Sequence, residues 1–95
     1  MLLIWASLIG APIITNAQST LSGKITNNAG EGIPGARISL ENTFQGTVAK
    51  PDGVFTISNI KEGTYVVEIS AIGFISEKDT LQISGINLTK NYQLN

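Results

Sequence analysis

The 95-residue chain has no cysteine and no histidine, only three prolines, and no cluster of charge of either sign. Without thiols it has neither a disulfide framework nor a lipid-modified cysteine. Without histidine, the Ser–His and Cys–His pairs of nucleophilic catalysis and most zinc chemistry are excluded. The six basic residues, Lys24, Arg37, Lys50, Lys61, Lys78 and Lys90, stand singly in a chain of net charge −1. Nucleic-acid binding needs a basic face to displace counterions from phosphates, and none forms here. A basic amphipathic segment for a membrane surface is also missing.

Charge is absent altogether from residues 1–17, where Leu2 to Ile14 are almost wholly apolar. A helix crossing a bilayer core needs about 20 apolar residues, more than this run supplies. It fits instead the apolar region of an export signal, followed by the small-residue site Thr15-Asn16-Ala17, with cleavage between Ala17 and Gln18. The basic residue that usually follows Met1 in such a signal is lacking. The expectation is an exported protein with a signal peptide over 1–17 and one domain over 18–95. A domain this small has a marginal core that rests on β packing.

Beyond Ala17 the pattern is period two, the mark of half-buried strands. Leu21, Gly23 and Ile25 share one face, and Ala36, Ile38 and Leu40 alternate with Arg37, Ser39 and Glu41. A short strand near Thr47 to Ala49 leads into Lys50-Pro51-Asp52-Gly53, a turn in which Pro presets φ and Gly accepts φ > 0. Phe55 and Ile57 resume the inward face, then Lys61-Glu62-Gly63 opens what reads as the longest strand, with Tyr65, Val67, Ile69 and Ala71 inward. Alternation fades after Gly73-Phe74, returns at Leu81 and Ile83, and ends in a last strand sharing the parity of Ile86, Leu88, Tyr92 and Leu94, interrupted by Lys90. The reading is all-β: about seven strands in an antiparallel Greek-key sandwich, with structural turns at Gly32, Pro34, Gly35, Asp52, Gly53, Gly63 and Gly73.

Gly30-Glu31-Gly32-Ile33-Pro34-Gly35 matches the letters of a dinucleotide fingerprint. That chemistry needs a helix N-terminus at the glycines, whereas Ala36 to Leu40 alternate as a strand and Pro34 removes an amide donor. The segment reads as a turn. The seven carboxylates show no spacing that makes an acid–base pair, and Asp52 alone falls far short of the six to eight oxygens calcium takes. We therefore expect no catalytic, metal-binding or cofactor-binding residues and no enzyme. Asn87-Leu88-Thr89 is a glycosylation sequon, and Thr80 lies in Asp79-Thr80-Leu81, a triplet resembling an O-glycosylation site of some periplasmic proteins. Of the aromatic residues, Phe55, Tyr65 and Tyr92 have core parity, while Phe44, in the Asn42–Gly46 loop, is the candidate partner contact.

Taken in order, Gly23-Lys24-Ile25-Thr26, Gly32-Ile33-Pro34-Gly35-Ala36-Arg37-Ile38, Gly46-Thr47-Val48, Asp52-Gly53-Val54-Phe55, Asn59-Ile60-Lys61-Glu62-Gly63-Thr64-Tyr65 and Ile72-Gly73-Phe74 resemble the carboxypeptidase-regulatory-like domain, over about Ser19 to Leu94. The resemblance implies a seven-stranded, transthyretin-like sandwich that is not itself catalytic. Where the family often has Pro-Pro-Gly before the long strand, this chain has Lys61-Glu62-Gly63 and keeps the glycine. A signal followed directly by this domain resembles the N-terminus of TonB-dependent outer-membrane receptors of Gram-negative bacteria, which import siderophores, vitamins or glycans. It implies a periplasm-facing accessory module without direct membrane insertion, whose partner is the remainder of a receptor or another periplasmic protein. No residue here forms the transporting barrel and no TonB-box segment stands out, so transport is not carried over.

Three other readings stay open at this level. One is a free-standing binding module that holds a glycan or protein through a strand edge or the Phe44 loop. Another is an adhesin-type sandwich locked by a bond between Lys24 and Asn91, although Lys24 has outward parity. The last is a hydrolase related to transthyretin, a chemistry that leans on histidines this chain does not have.

Overall fold

The computed structural model describes residues 18–95. The signal-peptide reading and Ala17 fall outside the described residues, and Gln18 opens the first strand. Eight strands are formed: β1 Gln18–Thr26, β2 Arg37–Leu40, β3 Gly46–Val48, β4 Val54–Lys61, β5 Gly63–Ser70, β6 Glu77–Ile83, β7 Leu88–Thr89 and β8 Tyr92–Gln93. One sheet has the order β3-β2-β5-β6, and the other places β1 between β4 and the β7/β8 segment. The inward positions named from alternation form the layer between the sheets. Leu21, Ile25, Ile38, Leu40, Phe55, Val67 and Ile69 are all buried there, each contributing on the order of 2 kcal/mol of apolar transfer. Tyr65 and Tyr92 pack at its margin and not within it.

Three details of the expectation are corrected. The sandwich is not wholly antiparallel, since β7 and β8 run parallel to β1, with Leu21 opposite Leu88 and Ile25 opposite Tyr92. The reason is topological: β6 delivers the chain to the end of the molecule where β1 begins, so a segment crossing to β1 there must run beside it in the same direction. The expected single last strand is split at Lys90–Asn91, which makes eight strands from seven, and Ile86 lies outside it and exposed. The longest strand is the nine-residue β1, not β5.

The split has a local cause. The even residues of β1 turn their main-chain groups toward the last segment, and two partners there are asparagine side chains. Thr20 N–H donates to Asn87 Oδ1 at 2.9 Å and Lys24 N–H to Asn91 Oδ1 at 3.0 Å. Lys90 and Leu94 N–H donate to the Ser22 and Thr26 carbonyls, both at 2.8 Å. At the break the Lys90 carbonyl turns over β1 at Gly23, where any Cβ would overlap it. Phe55 lies in register with Gly23 and reaches Tyr92, with ring centroids 6.3 Å apart.

A second irregularity lies on the opposite side of β1. Between Ser19 and Leu21 the register with β4 shifts, so that Ile57 and Ile60 face residues only two apart on β1. The extra residue is a β-bulge marked by Asn59 at φ 60°. It returns Ile60 to the core after Ile57, a step that strict alternation does not anticipate. Opposite Ile60, Ser19 is buried and its hydroxyl has no hydrogen-bond partner.

One flank between the sheets is closed by polar groups. Asp79 has inward parity on β6, and its Oδ2 accepts from the Tyr92 hydroxyl at 2.9 Å and lies 3.6 Å from Lys90 Nζ. Partial burial, then the bond to Asp79 and its charge, hold the Tyr92 phenol well above the usual tyrosine range.

Three measurements check this account. Gly23→Ala is expected to destabilise the fold by roughly 3 kcal/mol in chemical denaturation, because the Lys90 carbonyl must give way. Ser19→Ala removes a buried hydroxyl with no partner and is expected to stabilise by about 1 kcal/mol. In a spectrophotometric pH titration of the folded protein, one of its two tyrosines should remain protonated well above pH ~10, where a free phenol ionises. The stabilisation linked to that proton is complete below pH ~10 and falls as pH rises toward the folded value. Tyr92→Phe should abolish this late titration.

Candidate functional site

The loops gather at the two ends of the sandwich. At the end where β1 finishes, the turns hold each other through main-chain contacts. Asn27 organises the first: its Oδ1 accepts from Ala29 and Glu31 N–H, and its Nδ2 donates to Glu31 Oε1 at 3.1 Å. Ile33-Pro34-Gly35-Ala36 follows as a turn with Pro second and Gly35 third at φ 76°, the type II signature. Gly35 leads into β2 and not into a helix, so no row of free amides faces a phosphate. In the neighbouring turn Gly53 has φ 85°, and Asp52 Oδ1 accepts from Val54 N–H at 3.0 Å. Gly32 abuts the Asp52 carbonyl and Gly53 the Ile25 carbonyl, and neither has room for a Cβ. Gly73 turns at φ 89° in the β5–β6 loop, and Gly63 at φ 154° begins β5, with only Glu62 between it and the end of β4. These residues shape turns.

At the opposite end the β2–β3 hairpin carries Phe44. Asn42 takes φ 63°, a conformation asparagine tolerates better than most residues. Thr43 Oγ1 donates to the Leu40 carbonyl at 2.8 Å and accepts from Gln45 N–H at 3.0 Å. Gln45 Nε2 donates to the Ser58 and Asn59 carbonyls, at 3.2 Å each, fastening the hairpin to the β4 bulge. Glu41 pairs with Lys78 at 2.7 Å, which raises the Lys78 pKa through that hydrogen bond and the charge of Glu41. On this pinned hairpin Phe44 is wholly exposed. An aromatic ring held at a fixed tip needs little further ordering to make contact with a partner.

Catalytic geometry does not appear among the described residues. No group of three or more His, Cys, Asp or Glu could hold a metal ion. Asp52 and Asp79 are occupied within the fold, and no two carboxylates meet in a shared pocket. Lys24 and Asn91 do come together, but through the Lys24 main-chain amide. Thr80 and Asn87 are exposed, and Asn87 uses its carbonyl oxygen to hold Thr20. Sequence alternation missed the role of Asp79, whose inward parity on β6 matches Leu81 and Ile83 and was the available signal.

Solved structures of the same fold include an N-terminal interface mutant of a type II cohesin–X-dockerin complex from Acetivibrio cellulolyticus, with a TM-score of 0.72 and 17% identity over 80% of this chain and 56% of that one. The pilus 2b backbone protein of group B streptococcus gives a TM-score of 0.64 and 16% identity over 88% of this chain and 42% of its own. The major pilin subunit of Bacillus cereus gives 0.62 and 17% over 83% and 30%. At such identities the likeness is one of fold, and this chain spans 56%, 42% and 30% of the lengths of these three chains. No curated protein matches the sequence. The model of the CarboxypepD_reg-like domain matches residues 21–95, and the chain belongs to that family of carboxypeptidase-regulatory-like domains.

Proposed function

We propose that this domain is a non-catalytic, periplasm-facing accessory module of a TonB-dependent outer-membrane receptor, acting through contact with protein. The observation that carries the reading is the order of two segments: an uncharged apolar stretch over residues 1–17 runs directly into a family domain matched over 21–95. That order supports export of the domain, and its resemblance to the N-terminus of TonB-dependent receptors supports a place beside a barrel. The solved neighbours belong to a cohesin–X-dockerin complex and to pili, assemblies in which sandwiches of this shape meet other proteins.

The edges narrow how such contact is made. β3 has three residues, and β7/β8 is broken at Lys90–Asn91. β4 carries the Asn59 bulge and ends in Lys61, while β6 exposes Lys78 and turns Asp79 inward. Each of these is a known device against adding a further strand. Contact then falls to faces and loops, which favours the Phe44 hairpin. The same hairpin supports a second reading, a free-standing exported module that binds a protein or glycan.

An antibody raised against residues 18–95 distinguishes the two readings in fractionated cells. The receptor reading expects a band of receptor size in the outer membrane. A small soluble periplasmic band would overturn it in favour of the free-standing module.

A further inference from the structure

Away from Phe44, at the end where β5 finishes, a groove of ≈ 330 Å³ is lined by Gly35, Arg37, Ser70, Ala71 and Ile72. Arg37 begins β2 on its outer face, opposite Ser70 on one side and Val48 on the other. Of the cations carried by the strands of this sheet, Lys78 is engaged with Glu41, and Lys90 across the flank pairs with Asp79. Arg37, by contrast, forms no ion pair among the described residues. Beside it Ile72 is 101% exposed and Val48 51%. The floor is low because Gly35 has no side chain, and the space a Cβ would take there is open.

We propose that this groove binds a carboxylate-bearing peptide segment, an Asp or Glu flanked by aliphatic residues, on the surface of a protein partner. A guanidinium offers two parallel N–H donors that match a carboxylate in a single planar pair. The flanking aliphatic side chains of the peptide would cover Ile72 and Val48, which the fold leaves in water. The lining contains no aromatic ring on which a sugar would stack, and this separates a peptide from a glycan as the occupant. The assignment stands apart from the receptor reading, because it depends on the groove and not on what carries the domain.

The test is an amide-shift NMR titration of the labelled protein with an equimolar mixture of acetylated tripeptide amides, Asp at the centre and Leu, Ile or Val on each side. Saturable shifts centred on Arg37, Val48, Ser70 and Ile72 are expected at concentrations up to several millimolar. Replacing the peptide Asp by Asn, or making Arg37→Gln, should weaken binding roughly tenfold or more, the loss of one charge-assisted pair. Ile72→Ser should weaken it with the Arg37 pairing intact, and the same spectra report whether each variant is folded. Absence of shifts, equal shifts with the Asn peptides, or shifts only with a uronic-acid oligosaccharide would overturn the proposal.

Discussion

The seating of residues 87–94 against β1 is the constraint on which the rest of the sandwich depends. β1 is the strand that joins β4 to the end of the chain, and both partners meet it imperfectly. On one side Asn87 and Asn91 complete the ladder with side-chain carbonyls, and the Lys90 carbonyl occupies the space where a side chain at Gly23 would be. On the other the Asn59 bulge takes up an extra residue. Both bonds lie at the solvent-facing margin of β1, where each contributes about 0.5–1.5 kcal/mol, and the asparagines take the place of backbone where the backbone has turned away. With β1 flanked on both sides, its odd residues are aimed at the second sheet, and the core follows.

The same break places the few polar groups that bridge the sheets. Because the chain kinks at Lys90, its ammonium and the Tyr92 hydroxyl both reach Asp79 across the open flank. A carboxylate pointing inward from an edge strand satisfies its partners and also discourages another strand from adding there. Stability and resistance to sheet extension thus rest on the same side chains. What the fold leaves unoccupied is concentrated at its ends, in Phe44 on its pinned hairpin and in the Arg37 groove beside Ile72. Both are features suited to meeting another surface, and neither resembles a reaction centre.

Much of this was legible in the sequence because strand alternation and turn chemistry are local. The inward set Leu21, Ile25, Ile38, Leu40, Phe55, Val67 and Ile69 follows from period two, and the turns at Pro34-Gly35 and Asp52-Gly53 follow from the φ values those residues favour. The exposure of Phe44 followed from its place in a loop with strands on both sides. The split last strand was only half legible: Lys90 marked an interruption, but nothing local says that asparagine side chains would bridge it. The bulge at Asn59 was hidden for a similar reason, since Asn is as common in an ordinary turn as in a bulge.

The sequence by itself determined the fold class, the inward face of each main strand, the family and the absence of histidine- or thiol-based chemistry, because each depends on residue type and spacing along the chain. Only the tertiary structure decided that the C-terminal segment runs parallel to β1, that Asp79 joins Tyr92 and Lys90, and that Arg37 is left without an acidic partner. These depend on which strands become neighbours, and residues more than ten positions apart are brought together by the crossing of the chain between two sheets, which no local pattern encodes.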